Sequence, residues 1–309
     1  MTTKLITHSG RFHADDVFAA TILTTLFPQA ELLRTRNAKE WEDTSNAIVF
    51  DVGMVYDPQS NRFDHHQATR PVRPEPINNL DIPYSSLGLI WKHYGQAYLQ
   101  HMFQLEGKIL ESIWARVDRR FVIKVDMGDN NVVPDSDKGL SHPMSITRLI
   151  ESFAPDFDNR SIESENQGFQ TALSVAKPIF DNKIRSLISE YRAEQMARVC
   201  VQNRTDPRVV ELPQGMPYMS ALKAEQADDV LYVLAPGNDE DYLIMAVRDN
   251  RGESGCKKPF PKTWAGLRDS EFEAATNVQG AEFCHMGRFL TTARSREAAL
   301  KLLSIALET

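Results

Sequence analysis

The chain has 309 residues, 42% hydrophobic and 25% charged, the balance of a soluble globular protein long enough for two domains. It contains no apolar run of membrane-spanning length, and MTTKLITHSG lacks the apolar core of a signal peptide, so the cytoplasm is the expected location. The net charge of −7 excludes generic wrapping of nucleic acid, whose nonspecific affinity rests on lysine and arginine.

Lys4 to Thr7 reads as a strand, and Val17, Ala19, Ala20, Ile22, Leu23 and Leu26 mark a mostly apolar helix ended by Pro28. Glu31 to Thr35 and Ala47 to Val52 read as further strands. This alternation predicts an α/β fold, a mainly parallel sheet flanked by helices. Ligands of such sheets collect beyond the carboxyl ends of the strands, which places His8 and Asp51 on the functional rim. Ser85 to Tyr98 and Ile109 to Lys124 read as helices, as does Ile162 to Val201, with Pro178 expected to kink or divide it.

The polar stretch Gln202 to Pro207 suggests a boundary, giving a domain over 1–204 with long linking helices and a smaller α+β domain over 205–309. In the second, Val230 to Ala235 and Tyr242 to Val247 read as a hairpin joined by PGNDED, and Ser295 to Leu307 as a final amphipathic helix. From Ile244 to Arg296 nine Lys/Arg face six Asp/Glu, a local +3 that hints at an anionic ligand. Cys200, Cys256 and Cys284 form no CxxC pair, so neither a disulfide framework nor a thiolate zinc site is expected.

Chemistry-bearing residues gather in four places: His8, His13 and Asp15; Asp51; Asp64, His65 and His66 in FDHHQ; Asp126 and Asp129 in KVDMGDN. Any one alone reads as a cap or turn residue, as Asp57 in YDPQ does. Together, imidazoles and carboxylates without thiolates suit two divalent ions, manganese above all, with magnesium as the alternative. Ions about 3.5–4 Å apart share an oxygen ligand, and Asp51 is the natural bridge.

THSGRFHADD, FDVG, FDHHQ and VDMGDN resemble successive motifs of the DHH phosphoesterase superfamily. SSLGLIWKHYG, WAGLRD, FCHMGRF and TARSREAAL resemble, more narrowly, the melanocyte-proliferating-gene exonuclease family. That resemblance implies one ion on His8, His13 and Asp51 and another on Asp15, Asp51, His65 and Asp126. It further implies that Asp51 and His66 are catalytic, His66 facing the scissile phosphate, with Asp64 and Asp129 orienting ligands. Asp16 is read as an acid favoured by the helix dipole. The implied reaction is hydrolysis of a phosphodiester by a water activated between two metals, as a 3′-to-5′ exonuclease on RNA or short oligonucleotides. Arg288, Arg294 and Arg296 are the expected phosphate contacts. Thr291 and Thr292 stand where nearer relatives carry Gly-Gly, which puts the substrate grip in question. A small-molecule phosphatase or pyrophosphatase, and a non-catalytic metal-stabilised binding module, are the alternatives. Homo-oligomerisation stays open.

Overall fold

A computed structural model describes residues 3–42, 46–76, 79–132, 145–237, 241–249 and 255–309. It divides into two compact units, Met1–Ile188 and Ser189–Thr309. Each carries a five-stranded sheet flanked by helices, an α/β architecture with a smaller second unit.

In the first unit the strands are β1 (Lys4–Thr7), β2 (Glu31–Arg34), β3 (Ala47–Phe50), β4 (Tyr56–Asp57) and β5 (Arg62–Phe63), in the order β2-β1-β3-β5-β4. Lys4 lies opposite Glu31 on one side and Ala47 on the other, both in parallel register, and Val49 opposite Arg62 continues it. Only the pair β4–β5 is antiparallel. The chain leaves β1 for β2 on one side and then crosses to β3 on the other. The carboxyl ends of β1 and β3 therefore flank a topological switch point, where a crevice opens.

Helix α1 (Ala14–Leu26) follows β1, and all ten residues from Ala14 to Leu23 are buried, which explains its nearly continuous apolar character. Phe18 packs edge-on against Phe121 at 4.9 Å and meets Phe180, which also receives Trp91. After a short helix α2 (Lys39–Glu42) come α3 (Ser86–Phe103) and α4 (Gly107–Val117). Beyond α4, Asp118–Val122 form a π-helical turn that passes straight into α5 (Ile123–Asp129). The apolar spacing that predicts a helix ending at Lys124 thus continues to Asp129, with a turn that resets the angular phase of α5 relative to α4. Then come α6 (Ile146–Glu151) and α7 (Ile162–Gln202), the latter contributing residues to both units. Of the two outcomes expected at Pro178, division does not occur: one helix runs through it.

The second unit contains β6 (Val209–Glu211), α8 (Met219–Ala224), β7 (Tyr232–Pro236), β8 (Tyr242–Ala246), α9 (Asp269–Thr276), β9 (Ala281–Cys284), β10 (Leu290–Ala293) and α10 (Arg296–Glu308). Its sheet order is β6-β7-β8-β10-β9, parallel only at β6–β7. The expected β7–β8 hairpin is present; residues 238–240 of its PGNDED turn lie outside the described residues. One set of alternating strand residues, including Tyr232, Leu234 and Ile244, joins Phe260, Trp264 and Phe272 in a core. The opposite set, including Val233 and Ala235, joins Ala197, Val201 and Leu222.

Candidate metal centre

The end of β1 delivers His8, the end of β3 delivers Asp51, and the first turn of α1 delivers Asp15 and Asp16. Asp51 adopts a left-handed backbone, φ 55°, a conformation that aspartate tolerates better than most residues. The loop after β1 is gripped from the neighbouring strand: Arg34 donates to the Gly10 carbonyl and Arg36 to the Ser9 carbonyl. The tight path between His8 and His13 is therefore specified by arginines at the end of β2.

Buried Asp51 joins two histidines. His8 Nε2 lies 3.1 Å from Oδ2, and His65 Nε2 lies 3.1 Å from Oδ1. His8 Nε2 is also 3.3 Å from Asp16 Oδ2, while His65 Nε2 is 3.6 Å from both Asp15 Oδ2 and Asp129 Oδ2. Among the described residues, donor atoms converge in three groups able to hold a metal ion: His8, Asp16 and Asp51; Asp51, His65 and His66; and His13, Asp15 and Asp129. Asp51 belongs to two of them.

Metal ligation is tested by what the protein leaves unsatisfied. Asp15 Oδ1, Asp16 Oδ2 and Asp51 Oδ2 are buried without a hydrogen-bond partner. The His8 contacts to Asp16 and Asp51 lack hydrogen-bond geometry, and one ring N–H cannot serve both. Buried, uncompensated carboxylate oxygens are costly unless paired or bound to metal. The donor set therefore fits a divalent cation.

Without an ion, protons supply the positive charge. Burial pulls His8 down, but Asp16 and Asp51 overcome it and push its imidazole up to about 10. Burial, then the charges of Asp51 and Asp129, raise the Asp15 carboxyl well above its ordinary range, and burial raises Asp129 as well. Burial also opposes ionisation of Asp51, yet His65 and His8 hold its carboxyl well below the usual value. A cation binding at His8 Nε2 must displace that proton. Metal affinity should consequently rise between pH 6.5 and 8.5 by about tenfold per pH unit for each proton released. Titration calorimetry in buffers of different ionisation enthalpy checks this; a pH-independent affinity without proton release would remove His8 from the ligand set.

Asp64 organises the histidine pair. Its Oδ1 accepts from the His65 and His66 amides at 2.7 and 3.1 Å and lies 2.7 Å from His66 Nδ1, while Oδ2 accepts from the Met54 amide. The hydrogen bond that His66 donates to the Asp64 carboxylate raises the His66 pKa. With Nδ1 engaged and its side chain 53% exposed, His66 lines a cleft of about 700 Å³ together with His13, Asp51, His65 and Asp129.

Four placements differ from the sequence reading. Asp126, expected among the ligands, belongs to none of the three donor groups: Oδ1 accepts from Ser85 Oγ at 2.6 Å and Oδ2 from Arg73 Nη2 at 2.6 Å. Arg73 Nη1 also holds Asp118, within the π-helical turn, at 2.7 Å. Asp129, expected in a supporting role, reaches the cluster instead. His13, expected beside His8 and Asp51, groups with Asp15 and Asp129. Asp16 acts twice: Oδ1 accepts from the His13 amide at 3.0 Å, capping α1, and Oδ2 belongs to the cluster. Two adjacent acids at a helix start signal only that one can cap while the other turns inward; here the single carboxylate of Asp16 does both.

Gly88 explains part of SSLGLIWKHYG. A Cβ there would lie 2.5 Å from Asp126 Oδ2 and 2.8 Å from Tyr84 Cδ1, so α3 approaches Asp126 only because residue 88 has no side chain. Gly88→Ala should cost about 1–3 kcal/mol of stability through overpacking, read as a lowered Tm. An unchanged Tm would show that this contact relaxes freely.

In the second unit, Arg296 forms two hydrogen bonds to Glu211, Arg294 one to Asp269, and Arg288 donates to the Phe260 carbonyl from a backbone at φ 57°. Thr291 and Thr292 are buried strand residues whose hydroxyls donate to the Phe283 carbonyl and to Glu282.

The chain matches the model of the MYG1 exonuclease family, described as an uncharacterised protein family (UPF0160), over residues 4–307. It is 27% identical to the MYG1 protein of Caenorhabditis elegans, covering 100% of this chain and 96% of that relative. With the MYG1 protein of Saccharomyces cerevisiae it shares 28% identity, covering 99% and 96%. The MYG1 exonuclease of Homo sapiens is 25% identical, with 98% and 85% covered. With residues 4–307 matched and relatives aligned along essentially their whole length, the chain belongs to the MYG1 exonuclease family.

Proposed function

We propose that this protein is a metal-dependent phosphodiester hydrolase of the DHH type, a 3′-to-5′ exonuclease on RNA or short oligonucleotides, working in the cytoplasm. One observation carries the reading: Asp51 presents its two oxygens to two buried histidine–carboxylate groups at the sheet's switch point, beside an exposed His66. Relatives from mouse and human bear the name exonuclease, which supports nuclease chemistry.

His8, Asp16 and Asp51 would hold one divalent ion, and His13, Asp15, Asp129 and His65 a second, with Asp51 reaching both. Manganese suits this nitrogen and oxygen set. When bound, the ions supply Lewis acidity and bring the pKa of water toward neutrality. The protein's own groups do the rest. Asp64 fixes the His66 ring and favours its protonated form, so that His66 can donate to the scissile phosphate or the departing oxygen. Asp126, Ser85 and Arg73 hold α5 so that Asp129 stays in reach. Residues 1–204 form the catalytic domain in this reading, and residues 205–309 the substrate domain, with Arg288, Arg294 and Arg296 as its candidate phosphate contacts. Hydrolysis of a small phosphoester is the second reading, favoured by Thr291 and Thr292, whose buried side chains preclude the bare backbone approach that glycines would offer.

The test is incubation of the purified protein with manganese and 5′-labelled RNA, single-stranded DNA, dinucleotides, cyclic dinucleotides and pyrophosphate. The expected result is a ladder of shortening RNA with release of mononucleotides from the 3′ end. Hydrolysis of pyrophosphate alone would select the second reading.

A further inference from the structure

Histidines and acids form the floor of the cleft, but its margin is cationic: Arg11, Arg70, Lys124 and Arg148 all line it. They come from separate segments: the loop between β1 and α1, the chain just beyond His66, helix α5 and helix α6. All four are exposed, unlike the buried acids beneath them. Their charges are largely uncompensated. Arg70 donates to the neutral amide oxygen of Asn130 at 3.0 Å, and among the described residues only Arg148 of the four pairs with a carboxylate, Glu151 at 3.2 Å. Among the described residues neither Arg11 nor Lys124 has an ion-pair partner.

Cations exposed at the mouth do not reach the buried acids of the floor, whose unsatisfied oxygens call for an ion of their own. They raise the potential at the mouth and favour an anion that extends past the reacting centre. A single phosphate engaged by the metals and His66 would leave most of them idle. A single strand carries one charge per nucleotide and occupies several at once.

We propose that Arg11, Arg70 and Lys124, with Arg148, form a phosphate-binding rim on the first unit, which grips backbone phosphates adjoining the scissile one and so selects oligonucleotides over dinucleotides and pyrophosphate. The inference rests on the reading of this cleft as a phosphodiesterase site.

Its test is fluorescence anisotropy with the metal-loaded protein and labelled single-stranded RNA of two and five nucleotides, phosphorothioate-linked to slow cleavage, at several salt concentrations. Arg11→Gln, Arg70→Gln and Lys124→Gln are compared with Lys108→Gln, which removes an exposed charge from α4, away from the cleft lining. Each rim variant should bind the pentanucleotide about three- to tenfold more weakly. Each should also make the log-log salt slope shallower by about 0.7. The dinucleotide should suffer less, and Lys108→Gln should bind like wild type, with unchanged Tm throughout. Wild-type affinity in all three rim variants, equal weakening by Lys108→Gln, or no RNA binding by the wild type overturns the rim. Separate failures are distinguishable: binding losses without nucleotide release would sink the hydrolase reading alone, whereas RNA hydrolysis with unaltered rim variants would sink the rim alone.

Discussion

Asp51→Asn should remove most hydrolytic activity, by more than about 100-fold, while leaving the fold intact. Outer-sphere partners of metal sites already account for roughly 10–100-fold, and Asp51 lies between two donor groups rather than behind one. The substitution is conservative where it should be: asparagine accepts the left-handed backbone of residue 51, so β3 and the turn after it need not move. What changes is electrostatic. One anionic oxygen becomes an NH₂ group, which meets His8 or His65 as a donor and cannot ligate a cation. Rates on labelled RNA, Tm and bound metal by mass spectrometry check it together. Full activity with undiminished metal content would show that no bridging role exists.

Asp126→Ala and Asp129→Ala should fail in opposite ways although they lie within one turn of the same helix. Removing Asp126 leaves the Arg73 guanidinium, whose side chain is 7% exposed, with Asp118 as its remaining carboxylate partner and its Nη2 without an acceptor. Breaking one side of a buried pair costs about 3–5 kcal/mol, and Tm should fall by on the order of 10 °C. The pair is no bargain to begin with: burial lifts the Asp126 carboxyl to about 6 even with Arg73 beside it. Its loss is nevertheless damaging, because the buried Arg73 Nη2 and Ser85 hydroxyl both lose their acceptor. Asp129→Ala removes a carboxylate raised by burial and by neighbouring acids, so its Tm should hold or rise slightly in the metal-free protein. Its metal affinity should drop by at least about tenfold. Calorimetric unfolding and metal titration of both variants separate the roles, and a metal-binding loss confined to Asp126→Ala would favour Asp126 over Asp129 as the ligand.

These two residues also show where the sequence stopped being legible. Strand and helix alternation is enough to put His8 and Asp51 at the carboxyl ends of β1 and β3, because connectivity and strand direction dictate a rim. FDHHQ is readable in the same way, since a short turn leaves its side chains few alternatives. Asp126 and Asp129 lie on a helix, where the face that reaches the site depends on angular phase. The π-helical turn at Asp118–Val122 alters that phase and leaves no trace in the spacing of apolar residues. Asp16 was hidden for a different reason. Its cap and its inward oxygen belong to the same carboxylate, and a sequence offers one residue for one role. The cations Arg11, Arg70, Lys124 and Arg148 are dispersed along the chain, so no local charge run announced them; only folding gathers them.

Helix α1 has no side that faces water over its first ten residues. Ala19 and Ala20 are fully enclosed, and any larger side chain there must shift the whole rod, because the neighbours are packed as densely as an organic crystal. The same rod carries Asp15 and Asp16 at its leading end. A displacement of a few tenths of an ångström is a mild insult to a hydrophobic interior but a severe one to carboxylates that must converge on a common point. In the proposed metal site, ion occupancy would thereby gauge interior packing, and a conservative substitution deep in this helix would register as lost metal well before it registered as a lost fold.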